Sequence, residues 1–139
     1  MSWQHVHTSQ IAIRWGDMDA MGHVNNTVYF RYIEQARIDW MEAQDCMPNP
    51  LGHGPVIINA HCSFIKQLKY PGTIEVKTFI GKPGRTSFET LHEIRLLGED
   101  GVALPTIHAQ GGAKVVWVDF QAEKSQALPE RLLAMFNQS

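Results

Sequence analysis

The 139-residue sequence predicts an α+β fold in which one long helix lies on an antiparallel sheet. One segment, "TVYFRYIEQARIDWMEAQD" at residues 27–45, has apolar side chains at helical spacing and contains neither proline nor glycine. Later segments alternate between apolar and polar residues, as strands do. Turn-rich sequences such as "KYPG" and "GEDG" join these strands. We expect one domain over residues 1–139, because this length suits a single hydrophobic core.

The composition is that of a folded protein, with 44% hydrophobic and 19% charged residues. A net charge of -2 gives no general attraction to nucleic acid or to anionic membrane. The N-terminal "MSWQHVHTSQ" lacks the apolar region of a signal peptide. Cys46 and Cys62 form neither a CxxC pair nor a zinc spacing. We therefore expect a cytoplasmic protein with reduced thiols and with no nucleic-acid or membrane partner.

The predicted elements follow a simple order along the chain. A short strand over residues 9–14 precedes the helix, which would be about 28 Å long and would cross a whole sheet. After "MPNPLGHGP", strands are predicted over residues 56–64, 74–80, 86–97 and 102–119. A short helix is expected to follow Pro129 at the C-terminal end.

Two features of these strands make specific predictions. Pro105 and the Gly111–Gly112 pair are expected to mark bulges or bends in the last strand. In the strand over residues 56–64, one face carries Val56, Ile58, Ala60, Cys62 and Phe64. The opposite face is mixed and carries Ile57, Asn59, His61 and Ser63. This mixed face is either solvated or part of a subunit interface.

The loop "GDMDAMGHVNN" at residues 16–26 carries candidate chemistry. Asn25 or Asn26 is suited to cap the helix, whose first N–H groups lack intrahelical partners and can hold an oxyanion. Asp17 and Asp19 lie just upstream, and Gly22 allows close approach of the backbone to a bound group. A carboxylate beside such donors is a workable hydrolytic site, with the carboxylate acting as nucleophile or as general base.

A thioester is the substrate that suits this loop best. Its leaving thiolate belongs to a thiol with a pKa of about 8 to 9, so it departs without a strong acid catalyst. An amide needs its amine protonated, and an ordinary ester gives a poorly stabilised alkoxide. The sequence contains no GxSxG motif, which disfavours a serine hydrolase of the nucleophile-elbow type.

Two other interpretations of the loop stay open at this point. On composition alone, a plain polar connection with Asp19 exposed and Asn26 as the helix cap is favoured. A magnesium or calcium site would use Asp17, Asp19 and His23, but the further acids of an EF-hand loop are absent. We rank the metal site below the plain connection, and we expect neither a metal ion nor a cofactor.

The stretch "IRWGDMDAMGHVNNTVYFRYIEQAR" resembles the opening of the 4-hydroxybenzoyl-CoA thioesterase family of hotdog-fold proteins. That family has a strand, an acid pair, a glycine shortly after it, and an aromatic helix that often ends in an E-x-A-R run. The resemblance continues through "INAHCSFIKQLKYPGTIEVKT", "GRTSFETLHEI" and "GGAKVVWVD" and so covers most of the chain.

The resemblance implies a hotdog fold, in which a curved antiparallel sheet of about five strands wraps one long helix. Such proteins pair side by side, so a homodimer or homotetramer with sites at the interface is expected. The implied activity is hydrolysis of an acyl-CoA, or of an acyl-carrier-protein thioester, to a free acid. The family's catalytic acid falls on Asp19, and the N–H that holds the carbonyl oxygen falls near Asn26. Asp17 is given a supporting role in the turn.

The resemblance also implies a set of substrate-binding residues. His23, Val24 and Asn25 are expected to line the pocket, with a purely structural histidine the alternative for His23. Arg85 and Ser87 in "GRTSF" are expected near the CoA nucleotide, whose phosphates call for basic residues. Neighbouring lysines could serve the same purpose or could simply protect edge strands from aggregation.

Two alternatives to hydrolysis come from the same fold. Hotdog domains can bind acyl thioesters without cleaving them, although the acid pair and the glycine favour an enzyme. A hydratase is the other alternative, but its longer Asp/His signature is absent here.

Overall fold

The computed structural model describes residues 3–136 and confirms the hotdog architecture. Helix α1 lies on one face of an antiparallel sheet, whose strands run in the order β1-β3-β4-β5-β2, with a short β6 added to β5. Strands β1 and β2 are therefore the two ends of the main sheet. The elements are β1 Gln4–Ile13, α1 Asn26–Ala43, β2 His53–Phe64, β3 Gly72–Gly81, β4 Ser87–Leu97, β5 Ala103–Asp119, β6 Lys124–Ser125 and α2 Glu130–Met135.

The long helix begins one residue earlier and ends two residues earlier than predicted. Its cap is Asn25, whose side-chain oxygen accepts a hydrogen bond of 2.9 Å from the Thr27 N–H. At the other end Asp45 adopts a left-handed conformation with φ 55°, which a continuing helix does not allow. The start of β1 and the two-residue β6 were not predicted, because neither shows a regular apolar alternation.

The core consists of two apolar clusters under the two halves of α1. Around the N-terminal half are Ile13, Val24, Tyr29, Tyr32, Ile33, Leu68, Ile74, Val76, Ile94 and Ala109. Around the C-terminal half are Trp40, Met41, Ile80, Phe88, Val115, Trp117, Leu128 and Leu132. Along β4, the buried polar residues Thr90 and His92 stand between Phe88 of one cluster and Ile94 of the other. The Nδ1 atom of His92 lies 3.1 Å from the hydroxyl oxygen of Thr78 on β3.

The predicted faces of β2 are wrong in its first half and right in its second. Ile57 pairs with the buried Val115, whereas Ala60 pairs with Ala113, so one extra residue stands between them as a bulge. The bulge turns Ile57 toward the core and leaves Ile58 55% exposed. Cys62, beyond the bulge, packs against the core as predicted.

Strand β5 contains one predicted irregularity and lacks the other. Pairing with β4 is irregular around Pro105, as expected. The two consecutive glycines instead lie in regular pairing, and a Cβ on Gly111 would come within 2.8 Å of the Ile33 side chain of α1. Gly111 thus allows close approach of helix and strand, and Gly112 allows close approach to Thr90 and His61 of the neighbouring strands, so the pair does not mark a bend. A second bulge falls on His108, because Ile94 pairs with Ala109 while Arg95 pairs with Ile107.

No helix within residues 3–136 has the length and apolarity that crossing a membrane requires.

Candidate active site

The connection from β1 to α1 is a tightly bonded loop. The Asp19 N–H donates to the carbonyl oxygen of His23 at 2.9 Å, and the Gly22 N–H donates to the carbonyl oxygen of Asp19 at 3.0 Å. Gly22 has φ 79°, a conformation that glycine adopts at little cost. An isolated bridge between Met18 and Val24 closes the base of the loop. The acid pair therefore stands on a defined backbone rather than on a loose turn.

Asp17 is fixed inside this structure. The residue is 7% exposed, and its side chain accepts hydrogen bonds from the Arg14 N–H at 2.9 Å and from the Tyr32 hydroxyl at 2.7 Å. Its backbone carbonyl also accepts from the Asn25 N–H at 3.0 Å. Burial, and then the bond to Asp17, raise the pKa of the Tyr32 hydroxyl, so it stays protonated as a donor. Asp17 thus ties the end of β1 to α1.

Asp19 is exposed and faces a cavity of about 590 Å³. One of its carboxylate oxygens accepts a hydrogen bond of 2.9 Å from the Met21 N–H. The cavity is formed by the loop, the first turn of α1 and the end of β2. Its lining consists of Asp19, Met21, His23, Val24, Asn26, Tyr29, Phe64, Ile65, Lys66 and Gln67.

The start of α1 presents a free donor at this cavity. The side-chain oxygen of Asn25 accepts hydrogen bonds from both the N–H and the hydroxyl of Thr27. The N–H of Asn26, the first helical residue, has no acceptor among residues 3–136. Because the N-terminal N–H groups carry the positive end of the helix dipole, this donor is suited to a negatively charged oxygen.

One wall of the cavity is formed by Phe64 at the end of β2 and by Ile65, Lys66 and Gln67, which follow it. Leu68 is bonded to the loop and to the helix, since its carbonyl accepts from the Val24 N–H at 2.8 Å and its N–H donates to the Tyr29 hydroxyl at 3.2 Å. The ring of Phe64 meets that of Tyr29 edge-on at 5.1 Å and that of Phe30 at 6.3 Å. This part of the cavity is apolar and aromatic.

This wall was not predicted from the sequence. Its residues follow the loop by some forty positions, and their contact depends on how β2 crosses the sheet. One sequence signal could have indicated this wall. The aromatic Phe64 ends the alternating strand and is followed by the apolar Ile65 and then by the polar Lys66 and Gln67.

The structure brings together most of the predicted site residues. Four of them line the one cavity: Asp19, His23, Val24 and Asn26. Asn25 lies beside them as the helix cap, with its side chain turned to Thr27.

Arg85 and Ser87 lie elsewhere in the chain, Arg85 between β3 and β4 and Ser87 as the first residue of β4. The Arg85 carbonyl accepts from the Leu128 N–H at 2.9 Å, and Ser87 pairs with Val116. Phe88, the next residue, packs against Trp40 in the C-terminal half of α1. Within one chain these two residues are therefore not brought to the cavity, and their role in nucleotide binding stays a prediction.

Fold and site together define a hotdog-fold protein whose cavity combines a carboxylate with the start of a buried helix. A sequence model of the thioesterase-like superfamily matches residues 13–136, and the chain belongs to this superfamily.

Individual proteins agree with this membership. The PA2801 protein of Pseudomonas aeruginosa, a thioesterase candidate, is 34% identical and superimposes with a TM-score of 0.85, covering 94% of this chain and 98% of its own. Slr0204, a 1,4-dihydroxy-2-naphthoyl-CoA thioesterase from Synechocystis, is 15% identical with a TM-score of 0.79 over 92% and 93% of the two chains, which shows the shared fold. YsmA of Bacillus subtilis is 24% identical over 121 residues, 83% of this chain and 82% of that protein.

Proposed function

We propose that the protein is an acyl-CoA thioesterase of the 4-hydroxybenzoyl-CoA thioesterase type, which hydrolyses a thioester at Asp19. One observation carries the proposal: Asp19 and Asn26, whose N–H has no acceptor among residues 3–136, line the same cavity. A carboxylate and an oxyanion donor are the two groups that a thioester carbonyl needs for attack.

In the proposed reaction the carbonyl oxygen of the thioester accepts the hydrogen bond from the Asn26 N–H. Asp19 then acts in one of two ways. As nucleophile, it attacks the carbonyl carbon, expels the CoA thiolate and forms a mixed anhydride that water hydrolyses. As general base, it takes a proton from a water molecule whose oxygen attacks the same carbon. Both routes release the free acid and CoA, and neither needs a strong acid for the leaving group.

The lining of the cavity supports an acyl thioester as the ligand. Met21, Tyr29, Phe64 and Ile65 offer apolar and aromatic surface for an acyl group, beside the polar residues Asp19, His23, Asn26, Lys66 and Gln67. His23 lies in the same cavity and is proposed to contact the substrate near the reacting carbonyl. The same pantetheine arm occurs in acyl-carrier-protein thioesters, which the site would also accept.

We further propose that the working form is a dimer joined through β2. This strand ends the sheet, and it exposes the apolar side chains of Ile58 and Phe64, with the exposed Ile65 directly after it. Unpaired edge strands with apolar residues are templates for pairing. Antiparallel pairing of two β2 edges would place the Phe64 end of one copy beside the His53 end of the other. That end of the sheet carries Arg85 and Ser87, which would then reach the CoA phosphates in the neighbouring cavity.

The proposal is tested by Asp19→Asn in an assay of free thiol released from acetyl-CoA, hexanoyl-CoA and benzoyl-CoA. The amide keeps the oxygen that accepts the Met21 N–H but is neither nucleophile nor base. We expect kcat/KM to fall by at least about 100-fold.

Asp100→Asn is the matched control. Asp100 is also exposed in a turn and also accepts a backbone N–H, that of Val102 at 3.0 Å. It should keep kcat/KM within about twofold, as surface changes away from a site usually do. Full activity of Asp19→Asn, or binding of the acyl-CoAs by the wild type without any thiol release, would contradict the proposal. The second result would favour a non-catalytic acyl-CoA carrier.

A further inference from the structure

One histidine outside the cavity binds the wall of the cavity at four points. The Nδ1 atom of His108 lies 3.2 Å from the carbonyl oxygens of both Lys66 and Gln67. Carbonyl oxygens only accept hydrogen bonds, so this nitrogen carries the proton and donates to the pair. The His108 carbonyl in turn accepts from the N–H groups of Ile65 at 2.9 Å and of Lys66 at 3.0 Å. The three residues thus held all line the cavity that Asp19 faces.

The position of His108 on its strand makes this contact possible. It is the extra residue of the β5 bulge, where β5 opposes Ile94 and Arg95 of β4. A bulge turns a side chain away from its regular direction, and here the ring reaches residues more than forty positions earlier in the chain. The residue is buried, with 6% of its surface exposed.

Part of the wall also borders open space on a second side. Lys66, Gln67 and His108 itself border a second cavity of about 290 Å³, whose other lining residues are Leu68, Lys69, Leu96, Leu104 and Thr106. A segment with open space on a second side is not held in place by packing alone. Without the imidazole donor, the two carbonyl groups would lose a buried partner and the segment could shift toward that space.

We propose that His108 is a positioning residue that fixes the Ile65–Gln67 wall and so determines which acyl groups the site accepts. The inference rests on the proposed thioesterase function, since it assigns the wall to the acyl pocket. His108 does not touch the reacting carbonyl in this scheme. Its removal should therefore change substrate binding and selectivity more than the chemical step.

Two substitutions distinguish the effect of the hydrogen-bond donor from the effect of the side-chain volume. His108→Asn keeps an N–H donor at nearly the position of Nδ1, whereas His108→Leu has similar volume and no donor. We expect His108→Leu to raise KM by about fivefold or more and to change the kcat/KM ratio of benzoyl-CoA to acetyl-CoA by a similar factor, with kcat for acetyl-CoA within about threefold of the wild type. His108→Asn should keep both KM and the substrate ratio close to their wild-type values.

Thr106→Val is the control, because Thr106 stands on the same strand and borders the second cavity but makes no bond to the wall. It should leave KM and the substrate ratio unchanged. The inference is wrong if His108→Leu keeps the wild-type KM and substrate ratio. It is also wrong if kcat falls equally for every acyl-CoA in both His108 variants, because that is the pattern of a general folding defect.

Amide hydrogen exchange gives a readout that does not need activity. In His108→Leu we expect faster exchange at Ile65 and Lys66, with unchanged exchange in α2. If the wild type releases no thiol from any acyl-CoA, the proposed function fails, and the exchange data still show whether His108 holds the wall. If the wild type is active and exchange at the wall is unaltered in the variant, the function stands and the role of His108 is refuted.

Discussion

The Tyr32 hydroxyl donates a hydrogen bond of 2.7 Å to the carboxylate of Asp17, and this bond joins the interior of α1 to the loop that carries the candidate catalytic acid. Tyr32 is 1% exposed and Asp17 is itself buried. The two acids of the loop therefore differ in kind. Asp17 is enclosed and bonded, whereas Asp19, two residues later, is exposed at the cavity.

Removing this hydroxyl should destabilise the fold. Tyr32→Phe leaves a buried carboxylate without its shortest hydrogen bond, and we expect the free energy of unfolding in urea to fall by about 1 to 3 kcal/mol. Tyr70→Phe, which removes an exposed hydroxyl, serves as the control and should change stability by less than about 0.5 kcal/mol. Equal stability of the two variants would mean that the bond to Asp17 contributes nothing measurable.

The Asn26 N–H can be removed without removing the helix. Proline is well tolerated at the first helical position and lacks the N–H, and Asn25 already has φ -61° and ψ 139°, which suits a residue before proline. We expect Asn26→Pro to lower kcat by about 100- to 1000-fold, the usual effect of losing one oxyanion donor. Asn26→Ala keeps the N–H and should stay near wild-type kcat. Similar kcat values for the two variants, measured by thiol release with circular dichroism as a check on folding, would exclude the N–H from catalysis.

Local features of the sequence were enough to predict much of the site. The helix over residues 27–45 follows from periodicity, and its cap and the acid pair lie within ten residues of its start, so their proximity needs no knowledge of the fold. The faces of β2 were predicted wrongly before Ile58 because the bulge depends on pairing with β5, which alternation within β2 does not reveal. The wall that His108 holds was missed for the same reason. Lys66 and Gln67 lie 42 and 41 positions before His108 in the sequence, and only the sheet order brings them into contact with it.

The buried His92 should make stability depend on pH. Burial, and then the positive charge of Arg37, lower its pKa to about 3, so the folded imidazole is neutral down to that pH. In the unfolded chain the same ring takes up a proton near pH 6.5, so the unfolded state binds more protons between these values. The free energy of unfolding should therefore fall as pH is lowered from about 6.5 toward 3, by at most about 1.4 kcal/mol per pH unit from this residue.

The contribution is measured by comparing urea unfolding of the wild type with that of His92→Asn and His92→Gln between pH 4 and pH 7. Both variants should be less stable at pH 7, because they disturb a packed site that also contacts Thr78. Their stability should nevertheless decline less steeply on acidification than that of the wild type. Parallel slopes would show that His92 takes up its proton equally in the folded and unfolded states.

The proposed dimer makes the last prediction, which concerns the edge of β2. A lysine on an edge strand opposes pairing with another sheet, and Ile58 is exposed at the bulge of that strand. We expect Ile58→Lys to shift the protein from dimer to monomer in light scattering coupled to gel filtration. It should also raise KM for acyl-CoA, because the Arg85 and Ser87 contacts would be lost with the second copy. Leu51→Lys, an exposed apolar residue of the α1–β2 connection, is the matched control and should remain dimeric. The proposed role of β2 pairing in the site would be refuted if the wild type were a monomer, or if Ile58→Lys remained a dimer with unchanged KM.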